Sequence, residues 1–418
     1  MTQDARPAPD GVIFGDVKAP LDGIRVIDWT IWQQGPVSSA MLGDLGAEVI
    51  KLEEPERGDP GRGLLSGGSG AVSPGAFYFE TNNRHKKSLA INLKHPEARE
   101  IVYRLAERSD VFIQNFRQGV AQRLGLAYAD LRRRNPRLIY ASASGYGPEG
   151  PESNRPSFDY LGQARSGVMN AVGAPGQPPT YIYGGIADQM GAIMVAYGVI
   201  TALLARERYG VGQEIDASHL GSMMAVQGLN ISSVLIEGHE MPRRAREEAY
   251  NPLWNHYRCA DGQWLCLGML QPDRYWKDLC HAMGLDELIE DPRYADMISR
   301  GKNSRDVIAI FDRVFATKPR TEWVAILERG GDFIFSVVNT VADLPNDPQV
   351  IANRYIVDYE HPRRGAMRVL GMPIRFSETP GESRGVAPEL GEHTEQILVD
   401  LLNYDWAEVA RLRESGVI

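Results

Sequence analysis

The chain has 418 residues, of which 43% are hydrophobic and 24% charged, with a formal net charge of −9. That length fits roughly two to three domains, and the composition fits a soluble globular protein with enough apolar residues for a core. The acidic balance argues against general coating of nucleic acid or anionic membrane, although a local basic pocket stays open. Three cysteines, Cys259, Cys266 and Cys280, are too few and odd in number for a disulfide framework; they fit a reducing cytoplasm.

The opening stretch "MTQDARPAPDGVIFGDVKAP" is polar and proline-rich and lacks the apolar core of a secretory signal. "IRVIDW" (24–29) then reads as a short apolar strand. It runs into "WTIWQQGP" (29–36), where Gln33 and Gln34 stand at the handover from strand to helix. Trp29 and Trp32 there suit either a packed loop or a wall for a ligand. "SSAMLGDLG" reads as a helix and "AEVIKLE" (47–53) as a second strand. The loop "GDPGRGLLSGGSGAVSPG" (58–75) matches neither a dinucleotide nor a phosphate-loop pattern, and a surface or lid loop is expected.

"SLAINL" (88–93), "DVFIQNF" (110–116) and "RLIYASASGY" (137–146) supply three more strands. "PEAREIVYRLAERS" between them is a helix opened by proline, with apolar residues at helical spacing. Short apolar strands alternating with amphipathic helices predict an α/β fold, with a parallel sheet covered on both faces. Such sheets bind ligands beyond the carboxyl ends of their strands. Basic residues cluster at these places. Arg84, His85, Lys86 and Lys87 precede a strand, Lys94 ends it, and Arg117, Arg123 and Arg155 follow. They suit solvated surface charge or a groove for phosphates.

In "YGGIADQMGAIMVAYGVITALLA", two glycines lead to Asp188, and seventeen residues without charge or proline separate it from Arg206. Gly191, Tyr197, Gly198 and Thr201 make this run read as a buried helix rather than a membrane span. Taken alone, Asp188 fits a helix cap. The same position suits a nucleophile, with helix amides holding the oxyanion it generates. A carboxylate can attack a thioester to give a mixed anhydride.

The pattern changes near residue 225. "NHYRCADGQWLCLGML" (255–270) is two strand-like runs around Asp261-Gly262, a strong hairpin signal. Three helical stretches follow. The expected organisation is a large domain beginning at 20–225, a smaller α+β domain at 226–330, and a linker and C-terminal part at 331–418 returning to the large domain. Cys259 and Cys266 are seven apart, wider than usual zinc-ligand pairs, and no metal site is expected.

Taken together, these stretches resemble the class III coenzyme A transferases, the formyl-CoA and carnitine CoA-transferase group, from about residue 20 to 418. The resemblance rests on "LDGIRVIDWT", "LGDLGAEVIKLEEPERGDPGR", "NRHKKSLAINLK", "DVFIQNFRQGVAQRLGL", "NPRLIYASASGYGPEGP", "RPSFDYLGQARSGVM", "GIADQMGA" and "LGEHTEQIL". It implies a Rossmann-like large domain plus a small one, in an interlocked dimer of ring-like chains. It places the nucleophile on Asp188 and coenzyme A contacts on Gln33, Gln34, Ile91, Lys94, Asn115, Phe116, Val120, Arg123, Leu124 and the segment from Arg155 to Asp159. An arginine contact known in one member falls on Glu54 here. The glycine-rich flap of formyl-CoA transferase has no counterpart in "EMPRRAREEAYNPLWN", which implies an acid larger than oxalate.

The implied reaction passes through an aspartyl anhydride and an aspartyl-CoA thioester. Coenzyme A or acyl-CoA is substrate, with no permanently bound cofactor. The "WTIWQQG" stretch is similar to the branch acting on aryl-substituted succinates with succinyl-CoA as donor. Expected partners are small carboxylic acids and a second copy of the chain, with no nucleic acid or membrane. A related subunit in a hetero-oligomer is an alternative. Another is an α-methylacyl-CoA racemase, but its proton-transferring histidine falls on Phe158 of Ser157-Phe158-Asp159, and phenylalanine transfers no proton. An NAD-dependent oxidoreductase lacks its fingerprint.

Overall fold

Six short parallel strands form the central sheet of the computed structural model, which describes residues 18–63, 76–383 and 385–418. They are β1 (Arg25–Trp29), β2 (Glu48–Glu53), β3 (Lys86–Ala90), β4 (Val111–Gln114), β5 (Ile139–Ser144) and β6 (Glu214–Ser218). Their order across the sheet is β3-β2-β1-β4-β5-β6. Side chains alternate between faces along each strand. Ile27, Ile50 and Phe112 therefore point into one core layer, while Val26, Val49 and Val111 point into another. Each such fully buried side chain contributes about 1.5–3 kcal/mol.

Five of these strands overlap the apolar runs in the sequence, β3 only over 88–90, since it starts at Lys86 and ends before Ile91. The sixth does not. "EIDAS" is an edge strand with two carboxylates and little burial, so it carries no apolar run. The first layer is completed by the C-terminal residues Ile397, Leu398, Leu402, Val409 and Leu412. Asn92 N donates to Val417 O at 2.8 Å, tying the last residues to the end of β3.

The chain divides into two compact units. One contains the parallel sheet and comprises residues up to 169, 181–232 and 353–418. The other comprises 170–180 and 233–352, where the sequence placed boundaries at 225 and 330. Within this second unit β7 (Trp254–Arg258) and β8 (Trp264–Gly268) form the antiparallel hairpin expected around Asp261-Gly262, and β9 (Phe335–Val338) adds to β8. Gly262 adopts φ 78°, the left-handed conformation the turn requires. Its core is aromatic: Tyr257 stacks on Phe315 with ring centroids 5.0 Å apart, and Trp323 and Phe311 pack around them.

The Ile186–Tyr209 helix is long and apolar enough, by length and composition, to cross a membrane. In this fold one side packs on the sheet through Val195, Val199 and Leu203. The other side leaves Ile193, Tyr197 and Leu204 exposed, so the run is half-buried rather than buried throughout.

Candidate active site

The strand order reverses between β1 and β4, and the crevice beyond their carboxyl ends is where such sheets receive ligands. Asn115, just past β4, clamps the loop after β1. Its amide donates to Ile31 O at 2.7 Å and accepts from Ile31 N at 2.9 Å. Phe116 lies on Trp29 with ring centroids 4.4 Å apart.

Trp32 occupies the left-handed region at φ 68°, a strained conformation for a tryptophan. Asp59 holds it there, accepting from Trp32 N at 3.1 Å and Gly61 N at 2.8 Å. Beneath it Lys51, fully buried, lies 2.9 Å from Asp59 and donates to Thr30 O at 2.8 Å. Burial disfavours the Lys51 charge, but the carboxylates of Asp28, Asp59 and Glu53 outweigh it and raise its pKa.

Arg84, Lys86 and Lys87 of the basic run are engaged in internal pairs, where the sequence leaves solvated surface charge and a phosphate groove both open. Lys86 is buried; its ammonium lies 2.8 Å from each of Asp28, Asn83 Oδ1 and Pro36 O. Arg84 pairs with Asp44, and Lys87 with Glu48.

Asp188 sits in the first turn of the Ile186–Tyr209 helix, but it is not the cap. Gly185 is the N-cap, at φ 71°, and Gly184 before it is also left-handed at φ 95°. The amides of Ala187 and Asp188 donate to Asp159 Oδ1 at 2.6 and 3.2 Å. The helix dipole is thus met by a buried carboxylate from a separate helix, Asp159–Ser166. Gln163, one turn along and fully buried, donates to Asp159 Oδ2 at 2.8 Å. These two helix amides are consequently engaged, against the expectation that helix amides would serve an oxyanion.

The Asp188 carboxylate is instead met by His219, which no sequence motif had singled out. His219 Nε2 is 2.8 Å from Asp188 Oδ1, and the imidazole is 6% exposed. Ser157 Oγ faces the other ring nitrogen at 3.4 Å. His219 begins the His219–Val226 helix directly after β6, and Gly162 lets the Asp159–Ser166 helix close on it. Among the described residues Asp188 Oδ2 has no hydrogen-bond partner. Tyr78 lies in the same surroundings: burial raises its hydroxyl pKa, and Asp188, Asp59 and Asp159 raise it further.

Gln33 reaches the same place. Its amide nitrogen is 3.5 Å from Gln189 Oε1, and its side chain lies against Gly185. A Cβ on Gly185 would come within 2.6 Å of that amide, at a φ that strains any L side chain. Gly185→Ala is therefore expected to displace Gln33 and lower turnover by about tenfold or more. An exchange assay with a folded variant checks this. Gln34 is buried and donates weakly to Ser144 O and Ala217 O.

The other predicted contacts are spread along the same edge of the sheet. Ile91 is buried just beyond β3; Lys94 is exposed beside it. Val120 and Leu124 pack their short helix on the core, and Arg123 on that helix is exposed. Arg155 is exposed and pairs with Glu152 at 3.0 Å. Among the described residues no cluster of three His, Cys, Asp or Glu side chains is placed to hold a metal. The loop residues 64–75, part of the expected lid, lie outside the described residues.

The family model described as CoA-transferase family III matches residues 21–394. The chain belongs to CoA-transferase family III. It is 34% identical to the succinyl-CoA:glutarate CoA-transferase of Mus musculus over 405 residues, covering 96% of this chain and 91% of that protein. It is 33% identical to the succinyl-CoA–L-malate CoA-transferase beta subunit of Chloroflexus aurantiacus, covering 96% of this chain and 98% of that one. The crystal structure of a CAIB/BAIF family protein from Brucella suis superposes with a TM-score of 0.82 at 31% identity, covering 92% of this chain and all of that one. This class III CoA-transferase thus has the α/β fold and parallel six-stranded sheet of its family. CoA-transferases use CoA thioesters as substrates.

Proposed function

We propose that this CoA-transferase moves coenzyme A from succinyl-CoA to a carboxylic acid through Asp188. Asp188 Oδ2 attacks the thioester carbonyl, giving an aspartyl-acyl anhydride and CoA thiolate. The thiolate attacks Asp188 Cγ and the acyl group leaves as a carboxylate. The acceptor acid reverses the sequence. The observation that carries this reading is the state of the carboxylate: one oxygen held by His219, the other unpartnered among the described residues, behind two left-handed glycines. Succinyl-CoA as donor is supported by the relatives named for it. Holding the thiolate makes each later step effectively intramolecular.

The acceptor is a carboxylic acid with an aryl substituent on a succinate. The support is aromatic: Trp32 meets Phe158 edge-on at 5.9 Å, and Tyr160, Tyr181 and Tyr183 form a second group near Asp159. Incubating the enzyme with succinyl-CoA and a panel of aryl, alkyl and dicarboxylic acids, with mass spectrometry of the new thioesters, tests both choices. Preference for glutarate or malate over every aryl acid would remove the aryl assignment.

Coenzyme A is held by the exposed cations at the sheet edge. Lys94→Ala and Arg123→Ala should each raise the Kd for CoA about three- to tenfold while leaving covalent chemistry intact, as expected for exposed charge contacts. Unchanged affinity by titration calorimetry contradicts the assignment. The working unit is a dimer of identical chains. The apolar stripe Ile193, Tyr197 and Leu204 supports it, because so much exposed apolar surface on one helix face favours a partner. Sedimentation of the purified chain as a monomer would point instead to a related second subunit. Its cysteines are free thiols, which suits the cytoplasm.

A further inference from the structure

We propose that His219 is the oxyanion donor for the enzyme's own carboxyl carbon when coenzyme A is taken onto Asp188. The inference rests on the anhydride and thioester reading above and assigns a residue to its second step.

In that step the electrophile is Asp188 Cγ. The thiolate forms the C–S bond, the electrons of the carbonyl move onto Oδ1, and a tetrahedral oxyanion results. When it collapses, the Cγ–Oδ2 bond breaks and Oδ2 leaves with the acyl group as a carboxylate. The same oxyanion recurs when the acceptor carboxylate attacks the thioester. Negative charge therefore develops twice per turnover on one atom, Oδ1. Any donor that serves it must already lie at that oxygen.

His219 Nε2 is the side-chain nitrogen the structure places there, at 2.8 Å. An aspartate carboxylate only accepts, so Nε2 carries the proton. Ser157 Oγ faces Nδ1 at 3.4 Å, within reach to donate to it when Nε2 carries the proton. The ring is enclosed by Gly162 behind and is nearly sealed from water, where a fixed donor is most effective. The usual alternative, the amides of the helix start, is occupied by Asp159. The hydrogen bond also leaves Oδ2 as the attacking oxygen.

The test follows the aspartyl-CoA thioester by rapid quench and intact-protein mass spectrometry after mixing with succinyl-CoA. His219→Phe should slow its formation about 10²- to 10³-fold, the usual effect of losing one oxyanion donor. His219→Gln, whose amide reaches the same position, should recover much of that rate; His219→Asn, too short to reach, should not. The Kd for free CoA should stay within about threefold, given that no CoA contact is removed. Thioester formation in His219→Phe within about threefold of wild type, or equal rates for Gln and Asn, overturns the role. Should His219→Phe not fold, the Gln and Asn pair decides alone. A wild-type enzyme that never acquires the thioester overturns the covalent reading itself, and this inference with it.

Discussion

Asp188→Ala is expected to abolish CoA transfer, lowering exchange between an acyl-CoA and a free acid by at least about 10⁴-fold, as removal of a covalent nucleophile does elsewhere. The fold should survive. Asp159 accepts from the amides at the helix start, and among the described residues the Asp188 side chain, the part removed, makes one hydrogen bond, to His219. CoA should still bind, because the proposed contacts lie on other residues. Hydroxylamine added during turnover should modify the wild-type protein at Asp188 and leave the variant untouched. Asp188→Asn gives a sharper comparison, since it keeps the shape and loses the nucleophilic carboxylate. Exchange within about tenfold of wild type in either variant would remove Asp188 from the reaction.

The second large effect concerns stability. Lys86→Met is expected to cost about 3–5 kcal/mol, the range for breaking a buried ion pair on one side. Asp28 is fully buried, and Lys86 lies 2.8 Å from it, with Lys51 at 3.9 Å. Removing Lys86 leaves that carboxylate undercompensated, together with the carbonyl of Pro36 and the amide oxygen of Asn83. Adding Asp28→Asn to Lys86→Met should restore a substantial part of the loss. Urea denaturation measures both, and a Lys86→Met variant within about 1 kcal/mol of wild type would contradict the account.

The same pair sets pH limits with opposite signs. Burial pushes the Asp28 carboxyl up, but Lys51 and Lys86 together bring it down to about 2, from 3.8. Its contribution is therefore present above about pH 4 and is lost as pH falls toward 2. Burial pulls Lys86 down to about 8 from 10.5, against the attraction of Asp28. Carrying that charge in the folded state lowers stability at neutral pH, and stability from this group rises between about pH 8 and 10.

How much of this was readable from the residues follows from what each feature depends on. Strands β1 to β5 and the Asp261-Gly262 hairpin are local, written in apolar runs and turn residues. The β6 edge strand has no such run, because its side chains are half-exposed and two are carboxylates. The position of Asp188 at a helix start was legible, whereas its cap was not. Asp159 lies 29 residues earlier and reaches the helix only through the fold. His219 is 31 residues beyond Asp188, on a helix that follows the missed strand. Recognising β6 would have placed His219 at a strand's carboxyl end, which is the signal that flags it. Lys86 looked like surface charge in a basic run because nothing local tells a solvated lysine from one facing a buried aspartate.

Two carboxylates serve one helix start, and their division of labour matters once the reaction runs. In the proposed reaction the outer one becomes an anhydride, then a thioester, and is electrically neutral for part of every cycle. Were it also the anchor of the helix, each turnover would loosen the element that carries it. Asp159, which takes no part in the proposed chemistry, is the carboxylate bonded to the amides of Ala187 and Asp188. On that proposal the scaffold does not register the covalent state of its nucleophile, and the 24-residue helix behind it is expected to keep the same footing whether the enzyme is loaded or empty.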